Sequence, residues 1–146
     1  MTNERISVLT LFMIAVFCLA AAAAEPVPFK VLQSGGYSGI EESREVVMRS
    51  EAEWRSLQLG PSPTGATPPA VDFSKAMIVG VFLGTRPTGG HAVEITKIER
   101  EGAELVVTYR ERKPGPNDIA SQVITTPFQL VTTAPFAGRV RFTRAR

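Results

Sequence analysis

Residues 77–96 read MIVGVFLGTRPTGGHAVEIT, and their pattern decides the fold. Residues 77–82 are apolar at both alternating positions apart from Gly80, as expected of a strand covered on both faces. A loop with the adjacent glycines Gly89 and Gly90 follows. His91, Val93 and Ile95 then alternate with Ala92, Glu94 and Thr96, the pattern of a half-buried strand.

Downstream, Glu101-Gly102-Ala103 is a hairpin turn, after which Leu105, Val107 and Tyr109 alternate with Val106, Thr108 and Arg110. The two arms are expected to pair antiparallel, with Val93, Ile95 and Val107 facing a core. Residues 113–118 (KPGPND) form a second punctuated loop. Residues 122–133 read as a strand whose Pro127 implies an edge, a bulge or a bend. Residues 139–144 (RVRFTR) form a last strand with outward arginines. Such charges commonly keep an edge strand soluble.

Upstream, residues 27–32 and 44–49 are short strand candidates, separated by a glycine-rich turn over 34–39. Ser50-Glu51-Ala52-Glu53 is a capping box, predicting a helix anchored by Trp54, Leu57 and Leu59 and stopped at Gly60-Pro61. The following stretch to Ala70 holds Pro61, Pro63, Pro68 and Pro69 and makes a stiff connection, too short to separate two domains. The fold class is mainly β (α+β): an antiparallel sheet or small β-sandwich with one short helix.

Residues 1–24 predict a signal peptide. Arg5 precedes an apolar run from Ile6 to Ala20 interrupted only by Ser7 and Thr10, and Ala22-Ala23-Ala24 offers the cleavage site. The competing reading is an uncleaved anchor, since the run to Ala24 is just long enough to span a bilayer. Cys18, the single cysteine, lies in this segment after the bulky Phe17, and is read as an ordinary apolar member of it. Residues 25–146 then form one cysteine-free β-rich domain, held by burial alone and placed in the periplasm or secreted, with no membrane attachment after cleavage. A net charge of +2 argues against a nucleic-acid partner.

Catalytic chemistry is poorly supplied. His91 is the only histidine, Asp72 and Asp118 are the only aspartates, and no serine sits in a nucleophile elbow. Without cysteine or a second histidine in residues 25–146, a soft-metal site is excluded, and no metal or other cofactor is expected. The loop around Gly84, Gly89 and Gly90 has glycine spacing of a phosphate loop but lacks its Lys-Ser/Thr, and a strand pattern follows where a helix N-terminus is needed. Two readings of Arg86, Pro87, Thr88, Gly89, Gly90 and His91 stay open. One is a wide hairpin whose glycines are conformational necessities; the other is a stiff loop that docks on a partner.

The residues also carry a resemblance. Val71-Asp72-Phe73-Ser74-Lys75-Ala76-Met77, residues 82–90 (FLGTRPTGG), residues 109–116 (YRERKPGP) and Thr126-Pro127-Phe128 together resemble the PrcB C-terminal domain family over about residues 71–133. His91 stands where the family pattern has tyrosine. The resemblance implies a non-enzymatic exported domain that binds a protein partner, as an accessory or stabilising subunit of an extracytoplasmic protease. Its contact loop would be Arg86 to His91, with Pro114, Gly115, Pro116 and Asn117 as a second loop. Two alternatives accompany it. Residues 86–90 are a remote echo of the Asn-Pro-Thr-Thr-Gly loop of chagasin-like protease inhibitors, and His91 could serve a weak hydrolase.

Overall fold

Strand β4 (Met77–Phe82) is buried along its whole length, and each of its faces has a partner. The computed structural model describes residues 23–60 and 67–146; the expected signal peptide lies almost wholly outside these, as does the middle of the proline-rich connection. The described elements are β1 (Glu25–Pro26), β2 (Phe29–Gly35), β3 (Arg44–Met48), α1 (Glu51–Ser56), β4, β5 (Ala92–Glu101), β6 (Glu104–Arg112), β7 (Phe128–Thr133) and β8 (Arg139–Arg144). They form two four-stranded sheets, an inner one in the order β2-β7-β4-β3 and an outer one in the order β1-β5-β6-β8.

Alternation along β4 explains the layering. Met77, Val79 and Val81 pack with Val93, Ile95, Ile98, Leu105 and Val107 of the outer sheet. Ile78 and Phe82 point the other way and join Phe128, Leu130, Met48 and the helix residue Trp54. Phe82 and Phe128 stack with centroids 5.8 Å apart and planes 8° from parallel. The fold is thus a β-sandwich with α1 and its flanking segments covering the outside of the inner sheet. That is the α+β arrangement expected from the apolar run.

The capping box forms as read: Ser50 Oγ accepts from the Glu53 N–H while Glu53 accepts from the Ser50 N–H. The helix is shorter than expected, ending at Ser56. Leu57 and Leu59 reach the core from extended chain, and Trp54 Nε1 donates to Pro69 O at 3.3 Å. The hairpin turns on Gly102 at φ 60° with no positive φ at Ala103, the combination of a type II′ turn.

Three features differ from the sequence reading. Thr96 is an extra residue between Ile95, paired with Tyr109, and Lys97, paired with Thr108. This bulge resets the parity so that Ile98 also turns inward. Pro127 lies just before β7 and not inside it, so β7 occupies a central position between β2 and β4 without losing a ladder bond. Strand β8 pairs with β6 in parallel, because the chain crosses over from the inner sheet before entering it.

Gly80 marks the tightest approach within the inner sheet. A methyl group there would collide with Leu130 Cδ2 and lie 3.0 Å from Val46 Cγ2. Gly80→Val is therefore expected to destabilise by about 1–3 kcal/mol or more. Gly36→Ala, with open space around it, is expected to leave the thermal midpoint unchanged. Calorimetry on both variants checks the contrast.

Candidate functional site

The loop from β4 to β5 is laced down on two sides. Gly84, at φ 74°, turns the chain over the Glu41 carbonyl and the Ser43 amide, each only 2.7 Å from where a Cβ would stand. The Thr85 N–H donates to Glu41 O at 3.0 Å. Arg86 exchanges two backbone hydrogen bonds with Thr125, at 2.8 and 2.9 Å. Thr125 Oγ1 donates to Thr88 O, and the Gly89 N–H donates to Ser121 O, both at 2.9 Å. Residues 84–90 thus run between the 41–43 turn and the segment 121–125, and do not project as an isolated finger.

Both glycines of the pair have structural reasons to be glycine. Gly90 adopts φ 82°, and a Cβ there would press on Pro114 at 3.1 Å. A Cβ on Gly89 would fall on Ser121 Oγ. The same contacts bring the two sequence-predicted loops together, with Pro114 against Gly90. The second loop closes on itself: Asp118 Oδ2 accepts from the Gly115 N–H at 2.7 Å, and the Asp118 N–H returns to Gly115 O at 3.1 Å. Pro116 and Asn117 are left exposed.

Of the six residues in the first loop, Pro87 and Gly90 face solvent, whereas Thr88 and Gly89 are half-buried. The side chains of Arg86 and His91 turn back toward the body of the domain. Both meet Glu111, whose side chain is only 3 % exposed. Arg86 grips it in two-pronged fashion, Nε to Oε1 at 2.7 Å and Nη2 to Oε2 at 3.3 Å, and Arg86 Nη1 also donates to Leu83 O at 2.7 Å. His91 Nδ1 lies 3.4 Å from Glu111 Oε1, and Arg144 of β8 pairs with Glu111 Oε2.

The Arg86 guanidinium bonded to Glu111 holds its carboxyl below the usual glutamate range against the opposing effect of burial. The charges of Arg86 and Arg144, and the contact with His91, add to the lowering. Glu111 thus ties the β4–β5 loop, the start of β5 and the last residue of β8 to β6.

Sequence reasoning missed Glu111, although a signal was present. It continues the inward-facing positions of β6 after Leu105, Val107 and Tyr109, where an acid requires a partner. The arginine stripe of β8 is likewise engaged: Arg141 pairs with Glu101 at 3.1 Å and Glu104 at 3.3 Å, and Arg139 with Glu104 at 3.6 Å. Also missed was a set of exposed apolar side chains beside the loop. Ile119, Val123 and Ile124 lie in the segment that flanks residues 84–90, and Tyr37 stands at a bridge to Thr126. No alternation marks them, because the segment is not a strand.

The chain is a two-sheet β-sandwich whose irregular segments 36–43, 84–91 and 113–126 gather into one face. Residues 77–134 match the family model described as PrcB C-terminal, a span that runs from β4 through β7 and includes both predicted loops. Comparison with curated proteins and with solved structures returned no match.

Because Glu111 is ionised more readily in the folded chain than in the unfolded one, its contribution is present above the ordinary glutamate range and is lost as pH falls through its lowered folded value. Glu111→Gln is expected to cost about 1–3 kcal/mol near neutral pH. The variant should also show a smaller loss of stability on acidification than the parent chain. Hydrogen exchange should accelerate at the Arg86 and Gly89 amides. Denaturant titrations from neutral to acid pH, with amide exchange, check both.

Proposed function

We propose that this chain is a non-enzymatic, exported protein-binding domain, periplasmic or secreted, which serves as an accessory or stabilising subunit of an extracytoplasmic protease. The observation that carries the reading is the family match over residues 77–134, since that span contains segments 84–91 and 113–126 of the gathered face. Pro87 and Gly90 would make the contact with the partner, with Pro116 and Asn117 beside them. Arg86 and His91 would act as supports that hold the loop in shape through Glu111. A loop fixed before binding loses less conformational entropy on docking than a mobile one.

A non-catalytic role is supported by the surroundings of His91. Its Nδ1 faces Glu111, a carboxylate already shared by two arginines, and no serine or threonine hydroxyl bonds to the ring among the described residues. A histidine activates a nucleophile only when a hydroxyl or thiol lies within hydrogen-bond reach of its ring.

The test uses Pro87 replaced by a photo-crosslinking residue in the full chain, expressed in its native envelope. Irradiation is expected to join it to a protease, and a second substitution, Thr85→Arg at the exposed start of the loop, should lower the adduct yield while the thermal midpoint stays constant. Adducts only with proteins that have no proteolytic activity would count against the protease partner. Adducts formed equally from a position on the outer face of β5 would count against the loop.

A further inference from the structure

The gathered face has a charge layout that the protease reading does not use. At the end where Thr85 bonds to the 41–43 turn stand Glu41 and Glu42, both exposed and without an ion-pair partner among the described residues. At the other end, next to the Gly90–Pro114 contact, stand Arg112 and Lys113, also exposed and unpaired among the described residues. Several other charges near this face are engaged: Arg86 and Arg144 with Glu111, Asp118 with the Gly115 amide, and Arg110 with Glu94. Arg44 lies over the Phe82 ring.

Between the two ends run the exposed apolar residues. Ile119 is fully exposed, Ile124 is 66 % exposed, and Val123 and Tyr37 are half exposed. Clustered apolar side chains of this size commonly mark a docking surface. The span from Thr85 to Gly90 covers five residue steps, at most about 18 Å.

We infer that this face pairs with a second copy of the same chain about a two-fold axis. A surface with an acidic end, an apolar middle and a basic end is complementary to itself when turned end for end. Rotation brings Glu41 and Glu42 of one protomer against Arg112 and Lys113 of its partner, twice, and stacks the two apolar segments at the axis. The same rotation covers Pro87 and Gly90, so the dimer and the protease complex would compete for one surface. The inference needs only this chain and stands whether or not the protease reading survives.

Sedimentation equilibrium of the purified domain at low salt is expected to show a reversible monomer–dimer equilibrium that weakens as salt rises. Glu41→Lys with Glu42→Lys should raise the dimer dissociation constant at least about tenfold by facing like charges at both ends. Adding Arg112→Glu and Lys113→Glu to that variant should restore the dimer. Ile119→Asp with Ile124→Asp should abolish it, with circular dichroism confirming the fold. The proposal is overturned by a chain that stays monomeric up to about 1 mM. It is equally overturned by a dimer indifferent to the acidic reversal, or by a fourfold variant that fails to regain association.

Discussion

The structure depends on a single constraint: β4 must be covered twice. Six consecutive buried positions with apolar side chains on both faces cannot be satisfied by one sheet and solvent. One face recruits the β5–β6 hairpin and the other recruits Trp54, Leu57 and Phe73. The absence of a side chain at Gly80 leaves room for Leu130 and Val46, which occupy the space a Cβ would need. The layers are then fixed relative to each other by polar contacts as well. Gln129 of β7 accepts from the Ile95 N–H of β5 at 2.6 Å, and Tyr109 of β6 donates to Glu45 of β3 at 2.9 Å. Two sheets so joined leave their connecting loops little freedom of placement.

The β4–β5 loop inherits that order. It leaves a fully buried strand and re-enters at the start of β5, and in between it is held by backbone bonds to segments 41–43 and 121–125. The Glu111 carboxylate then fixes its side chains from beneath. Burying one carboxylate is unfavourable in isolation, and two guanidinium groups compensate it with direct hydrogen bonds. Arg86 belongs to the loop and Arg144 to β8, so one ionised group links the loop to the far edge of the outer sheet. The arrangement places charge inside the loop's base and leaves Pro87 outside it.

Much of this was legible in the residues, for identifiable reasons. The double-faced apolar run, the capping box at Ser50 and the Gly102 turn are local signals with one dominant solution each, and each folded as read. The bulge at Thr96 was hidden because a single inserted residue changes parity without changing composition, although the spacing of Ile95 and Ile98 records it. The parallel β6–β8 pairing was hidden because strand direction depends on the crossover, not on the strand. At the candidate site, the glycine pair was visible but its meaning was not. Positive φ at Gly90 and the approach of Ser121 to Gly89 are long-range facts. Glu111 was visible as an acid in an inward register, yet its partners lie 25 and 33 residues away.

These observations shift where specificity should be sought on this face. Arg86, Gly89 and His91 help make the motif conspicuous in the sequence, but the structure engages each of them with the chain's own groups. A residue already committed to holding a loop can contribute to binding only through the shape it maintains. The uncommitted groups are different ones: Pro87, Tyr37, Ile119, Val123 and Ile124, with Glu41, Glu42, Arg112 and Lys113 at the ends. Large apolar side chains left in water, flanked by charges of opposite sign that have no ion-pair partner among the described residues, gain free energy when another surface covers them. On the proposed reading, the motif supplies the frame and recognition falls to its neighbours.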